Sequence, residues 1–179
     1  MMKLQSTRVL IGVIGGAVAI GVIGGVALAS VNGESTISAK GLSAIKVVRG
    51  PNATDTTSST YADLPGATTK IKVKAGTHAV IVVDFSAESN CQGTPGTYCS
   101  VRIKIGTKSG RPATGTDFAF DSADASGDNG GSGWKSAAMQ RSSNRLGPGT
   151  YTVKVQYATV AATDFRLDDW SMAVERFND

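Results

Sequence analysis

Residues 165–177 read FRLDDWSMAVERF. Side chains of a β-strand alternate between two faces, so the apolar positions of a half-buried strand share one parity. Here Phe165 and Leu167 are odd-numbered, while Trp170, Met172 and Val174 are even-numbered. A strand that buries both sets must gain one residue between them, which is what a β-bulge supplies. The pattern therefore predicts one long last strand with a bulge near Asp168-Asp169.

The same alternation recurs upstream. Tyr151, Val153, Val155 and Tyr157 share a face, as do Val101, Ile103 and Ile105, and Lys70-Ile71-Lys72-Val73-Lys74 alternates strictly. His78–Phe85 (HAVIVVDF) is almost continuously apolar and suits a strand buried on both sides. Further strands are expected at residues 44–49 (AIKVVR), at Asp117–Asp121 (DFAFD) and at Trp134–Arg141 (WKSAAMQR). Turn chemistry separates them at Gly50-Pro51-Asn52, Pro65-Gly66 and Leu146-Gly147-Pro148-Gly149. Outside the N-terminal segment no 3.6-residue apolar period and no internal repeat is found. About eight short strands spaced by Gly/Pro turns describe an all-β, antiparallel β-sandwich of jelly-roll type.

The chain is divided by composition. Residues 9–29 (VLIGVIGGAVAIGVIGGVALA) hold no charge, come after Lys3 and Arg8, and end in Ala27-Leu28-Ala29. Basic flank, apolar stretch and small-x-small end describe an export signal over residues 1–29. The competing reading is an uncleaved membrane anchor helix: 21 residues can span a bilayer, and Gly12/Gly16 and Gly21/Gly25 repeat a helix-packing spacing. Both readings export the rest of the chain, a polar linker over residues 30–43 and the domain over residues 44–179. Residues 1–29 hold two of the 18 cations and none of the 14 acids, so the remainder carries +2 rather than the chain's +4. That weak surplus, without interleaved aromatics on the lysine stripe, gives no case for a nucleic-acid partner. Two cysteines are too few for a disulfide-dense miniprotein. Cys91 and Cys99 flank a Pro-Gly turn on the exported side, and the spacing favours a local disulfide over a metal or C-x-x-C redox pair.

Chemistry is sparse. His78 is the only histidine, no Gly-x-Ser-x-Gly accompanies it, and one His with two paired Cys leaves too few zinc ligands. Asp168 and Asp169 form the one adjacent carboxylate pair flanking a Trp, a combination that a sugar or cation site would use; bulge hydrogen bonding, with Arg166 or Lys154 as partner, is the plainer role. Asp121, Asp124, Asp128 and Asn129 put hard oxygen donors into one Gly-rich loop, making calcium the one cofactor to test. The loop departs from the EF-hand: counted from Asp124, Asn129 stands where Gly is needed and Lys135 where Glu is needed. Lys70, Lys72 and Lys74, with Arg102 and Lys104, read as a solvated strand face that discourages edge pairing. Parity puts Tyr151, Tyr157 and Trp170 in the core, which leaves Trp134 as the exposed aromatic.

Four stretches also carry a family resemblance: DFSAESNC (Asp84–Cys91), CSVRIKIG (Cys99–Gly106), GTYTVKVQY (Gly149–Tyr157) and FRLDDWSMAVER (Phe165–Arg176). Together they resemble a group of exported bacterial β-sandwich proteins common in actinobacteria, over most of residues 70–176. The plan is similar to the jelly-roll heads of collagen-like and phage-fibre proteins. The resemblance implies fold and export and supplies no activity. It departs at Ile105-Gly106-Thr107-Lys108, where the group has a Val-Asp-Gly turn, so no acidic ligand is carried over there.

The expectation is thus an exported, non-catalytic β-sandwich serving as a structural or interaction module at or beyond the cell surface, its partner a surface glycan or another exported protein. The alternative is a carbohydrate-binding module built on Trp134 and the Asp121–Gly133 loop. The oligomeric state is left open.

Overall fold

In a computed structural model, residues 41–113, 118–123 and 133–179 are described. The expected signal or anchor (1–29) and most of the linker lie outside them. Ten strands succeed one another: β1 (Gly41–Gly50), β2 (Thr54–Thr56), β3 (Ala62–Val73), β4 (Ala79–Gln92), β5 (Tyr98–Ile105), β6 (Lys108–Ser109), β7 (Asp121–Ser122), β8 (Lys135–Ser142), β9 (Gly149–Val160) and β10 (Asp164–Asn178). They form two antiparallel sheets. The first runs β1-β10-β4-β8 with β2 also on β10, and the second runs β3-β9-β5-β6 with β7 also on β5. The described chain is an all-β sandwich, as the alternation requires.

Each sheet turns one parity inward. From the first come Ile81, Val83 and Phe85 of β4 and Phe165, Leu167, Trp170, Met172 and Val174 of β10. The second contributes Leu64, Ile71, Val101, Ile103, Val153, Val155 and Tyr157. The β10 bulge is where the parity shift demands it: pairing with β4 slips between Asp168 and Ser171, and Asp169 has φ 42°. β1 and β2 are two lengths of chain along one side of β10. β1 ends at Gly50 opposite Trp170, and β2 resumes at Thr54 opposite Leu167, so the break between them faces the bulge.

Several boundaries differ from expectation for identifiable reasons. The Pro65-Gly66 turn is instead a second bulge inside β3, where register slips between Asp63 and Thr68. Leu64 and Ala67 are both buried, and only a detour can bury two residues of opposite parity on an otherwise regular strand. Gly66 supplies the left-handed φ of +78° that the detour needs. β2 carries no apolar side chain and so offers no pattern to read. Asp117 of the DFAFD segment lies outside the described residues; of the rest only Asp121 enters a strand, Phe118 and Phe120 lie outside one, and Phe120 packs on Phe85 and Phe165. β1 is already a strand at Gly41, ahead of the expected domain start at Ala44. β8 begins at Lys135, which leaves Trp134 just outside it.

One edge of the sandwich is closed by a buried cation. Arg176 sits at the end of β10 with its guanidinium between the sheets. Its Nε donates to Ser43 Oγ at 2.9 Å, its Nη2 to Ser43 O at 3.3 Å, and its Nη1 to Lys72 O. One planar fork thereby ties β1 of the first sheet to β3 of the second. Arg176→Met keeps the aliphatic length but strands these acceptors, and should cost about 2–3 kcal/mol in urea unfolding. A loss below about 0.5 kcal/mol would show that the clamp is dispensable.

Candidate functional site

Cys91 and Cys99 are bonded, with Cα atoms 5.7 Å apart, and no described cysteine is free. Because Cys91 lies on β4 and Cys99 on β5, the bridge joins the two sheets as well as closing the loop. Chain entropy assigns such a short loop about 2–3 kcal/mol.

Of the acids singled out by sequence, the structure places Asp121 on β7 of the second sheet and Asp168 and Asp169 on β10 of the first. Asp121 is on β7 with its side chain 2% exposed, and Lys135 of β8 lies 3.3 Å from its Oδ1. The same Oδ1 accepts from Ser122 N at 2.7 Å, and Lys135 also donates to Ser122 O at 3.0 Å. Oδ2 has no hydrogen-bond partner. Asp121 is thus half of an ion pair that pins β7 to β8, with an ammonium where a cation ligand would stand. Asp124 and Asp128 lie outside the described residues. Among the described residues no three His, Cys, Asp or Glu side chains are grouped as a metal site.

Asp168 and Asp169 sit at the β10 bulge on the outer face of the first sheet. Asp168 Oδ1 accepts from Asp169 N at 2.9 Å, the bulge hydrogen bond expected of it. Asp168 stands opposite Glu88, and Glu88 and Asp169 line a shallow groove with Ser86, Ser136 and Ala138. Lys154 is elsewhere: it pairs with Asp63 at 2.8 Å on the second sheet. There Asp63 also accepts from Gln156, Gln156 accepts from Arg102, and Arg102 lies 4.0 Å over the Tyr61 ring. Asp63, Lys154, Gln156, Arg102 and Tyr61 thus form one outward cluster on that sheet.

Trp134 is half-buried, and the Arg166 guanidinium lies 5.6 Å over its ring. The ring's stacking surface is shared with a cation rather than left open. Trp170 and Tyr157 are in the core as expected; Tyr151 is half-buried, its hydroxyl donating to Gly147 O at 2.9 Å. His78 is exposed, and its described role is a backbone carbonyl accepting from Asp179 N. Lys70 and Lys72 on β3, an edge strand, and Lys74 just past its end are exposed, where lysines oppose strand addition.

The surface that sequence reading missed is β1. Leu42, Ile45 and Val47 are the exposed large hydrophobics among the described residues, at 54%, 53% and 39%. All three fall on this strand, and Ile45 and Val47 are opposite the outward-facing Glu175 and Ala173 of β10. The described pairings of β1 are all to β10, so among the described residues its other edge has no strand partner. AIKVVR has apolar residues at both parities, and that is the available signal: one parity has to face out.

No protein-family profile matches the chain, and a search of curated proteins finds no relative.

One titration probes this region. Burial, then the nearby Asp55 carboxylate, pushes the Asp164 carboxyl above its usual 3.8, against weaker pulls from the Phe165 backbone and Arg166. The folded protein holds this proton to higher pH than the unfolded chain does, so stability is lost as pH rises from about 3.8 through the raised value. Asp164→Asn should therefore raise the melting temperature by a few degrees at pH 7 and leave it unchanged near pH 3. An equal shift at both pH values would assign the effect to packing.

Proposed function

We propose that this protein is an exported β-sandwich of jelly-roll plan, of the actinobacterial type its motifs resemble, that works by binding and not by catalysis. Residues 1–29 are its export signal or retained anchor. The observation that carries this reading is β1, an edge strand on which every large exposed aliphatic of the described residues is gathered. A surface patch of that kind marks an interaction site.

The partner it fits best is an extended segment of another exported protein. The β1 edge, which no described strand covers, would supply main-chain hydrogen bonds, and Leu42, Ile45 and Val47 aliphatic contact. A glycan is less well served there, because sugar recognition relies on aromatic rings and β1 has none. The inter-sheet disulfide suits an oxidising compartment.

The test is co-sedimentation of the exported protein with isolated cell envelopes. Combining Leu42→Ser, Ile45→Thr and Val47→Thr should keep the melting temperature within about 3 °C, since these side chains are exposed. Envelope binding should fall at least tenfold. Binding undiminished in that folded variant would reject β1 as the interaction surface.

A further inference from the structure

A second concave site lies at one end of the sandwich, between the β5–β6 hairpin and residues 143–146 after β8. It encloses about 560 Å³, the range of a small-ligand pocket. Ile105 and Leu146 form an apolar floor with the ring of Tyr151. The walls carry Lys104, Lys108, Arg111 and Arg145, and no carboxylate of the described residues lines them. Arg145 is held by Asp179, whereas Lys104, Lys108 and Arg111 make no ion pair with a described residue.

Four cations around one cavity repel one another, and a low-dielectric concavity focuses their field. Elsewhere on the second sheet Lys154 pairs with Asp63, and Arg102 is joined to the same carboxylate through Gln156. At the cavity Arg145 is paired with Asp179, while Lys104, Lys108 and Arg111 make no ion pair with a described residue. The walls are held from both sides: Gly110 N donates to Ile103 O, Arg111 and Ser142 exchange backbone hydrogen bonds of 2.7 and 3.0 Å, and Ala79 and Leu146 exchange another pair. A preformed, positively charged pocket with an apolar floor is suited to a ligand that is both anionic and organic.

We propose that this cavity binds an anionic saccharide, one or two sugar rings bearing phosphate, sulfate or carboxylate groups. The cations take the charged groups, with Arg111 able to hold an oxyanion by two N–H bonds. Thr107, Ser109 and Asn144 line the same space, and their hydroxyl and amide groups suit sugar hydroxyls. The Tyr151 ring offers the apolar face on which a pyranose rests. An inorganic anion would leave most of 560 Å³ empty. β1 takes no part in this cavity, so the two sites stand or fall separately.

The experiment is calorimetric titration of the full chain at low salt with a sulfated heparin disaccharide and with trigalacturonate. Neutral maltotriose and pyrophosphate serve as controls. At least one anionic saccharide should bind tenfold or more tighter than either control. That binding should weaken at least tenfold when Lys104→Gln, Lys108→Gln and Arg111→Gln are combined. Lys70→Gln, Lys72→Gln and Lys74→Gln, an equal loss of charge on the β3 edge, should leave it within about twofold. Equal binding of maltotriose, equal binding of pyrophosphate, or no binding of either anionic saccharide overturns the proposal. So does an equal loss in the β3-edge variant, which would mean diffuse attraction to a basic surface. Circular dichroism of each variant confirms folding, and a misfolded triple variant is replaced by Arg111→Gln alone, with the same tenfold criterion.

Discussion

Trp170 has room in this core only because two glycines make it. It lies on β10 directly opposite Gly50 of β1, and a Cβ at Gly50 would fall inside the contact distance of its Cε2 and Nε1. On the other side a Cβ at Gly66 would stand 3.3 Å from its Cζ2. The indole therefore fills the space over its cross-strand neighbour and reaches across to the second sheet. Both bulges serve this arrangement. The one at Asp168–Ser171 turns Trp170 inward after Leu167, and the one at Asp63–Thr68 brings Gly66 to the ring. Phe85, 6.5 Å from the indole by ring centroids, carries the aromatic packing on to Phe120 and Phe165. With β1 seated against Trp170 at one end and clamped by Arg176 at the other, its outward side chains are set in place.

How much of this is legible depends on what each feature writes into sequence. Burial on one face writes a period of two, so β5, β9, β10 and the β10 bulge can be read from apolar parity alone. The β3 bulge writes the same letters as a turn, because Pro-Gly serves both; only the burial of Leu64 and Ala67 distinguishes them. β2 is held by backbone pairing to β10 and leaves no side-chain signature. The disulfide is legible as a pair, but its joining of two sheets is not, since that depends on β4 and β5 parting company.

Sites are harder for a further reason. Sequence shows which residues are chemically able and not which partner has already claimed them. Asp121 reads as available, yet Lys135 stands beside it, and Trp134 reads as open, yet Arg166 lies over its ring. The converse also holds. Lys104, Lys108 and Arg111 read as ordinary strand and turn cations, and only the packing of the β5–β6 hairpin against residues 143–146 gathers them around one cavity. Leu42 falls in the expected linker and Ile45 and Val47 in an expected strand of undecided face, and only the structure shows all three exposed on an edge strand.

The central claim is that Trp170 against Gly50 holds β1 in register and with it the surface that β1 presents. A double-mutant cycle in urea unfolding tests it most directly. Gly50→Ala should cost about 2–3 kcal/mol beside Trp170, the penalty for overpacking a filled site. In a Trp170→Leu background the same change should cost under about 1 kcal/mol, a coupling above 1 kcal/mol. Costs that add within about 0.5 kcal/mol would contradict the account.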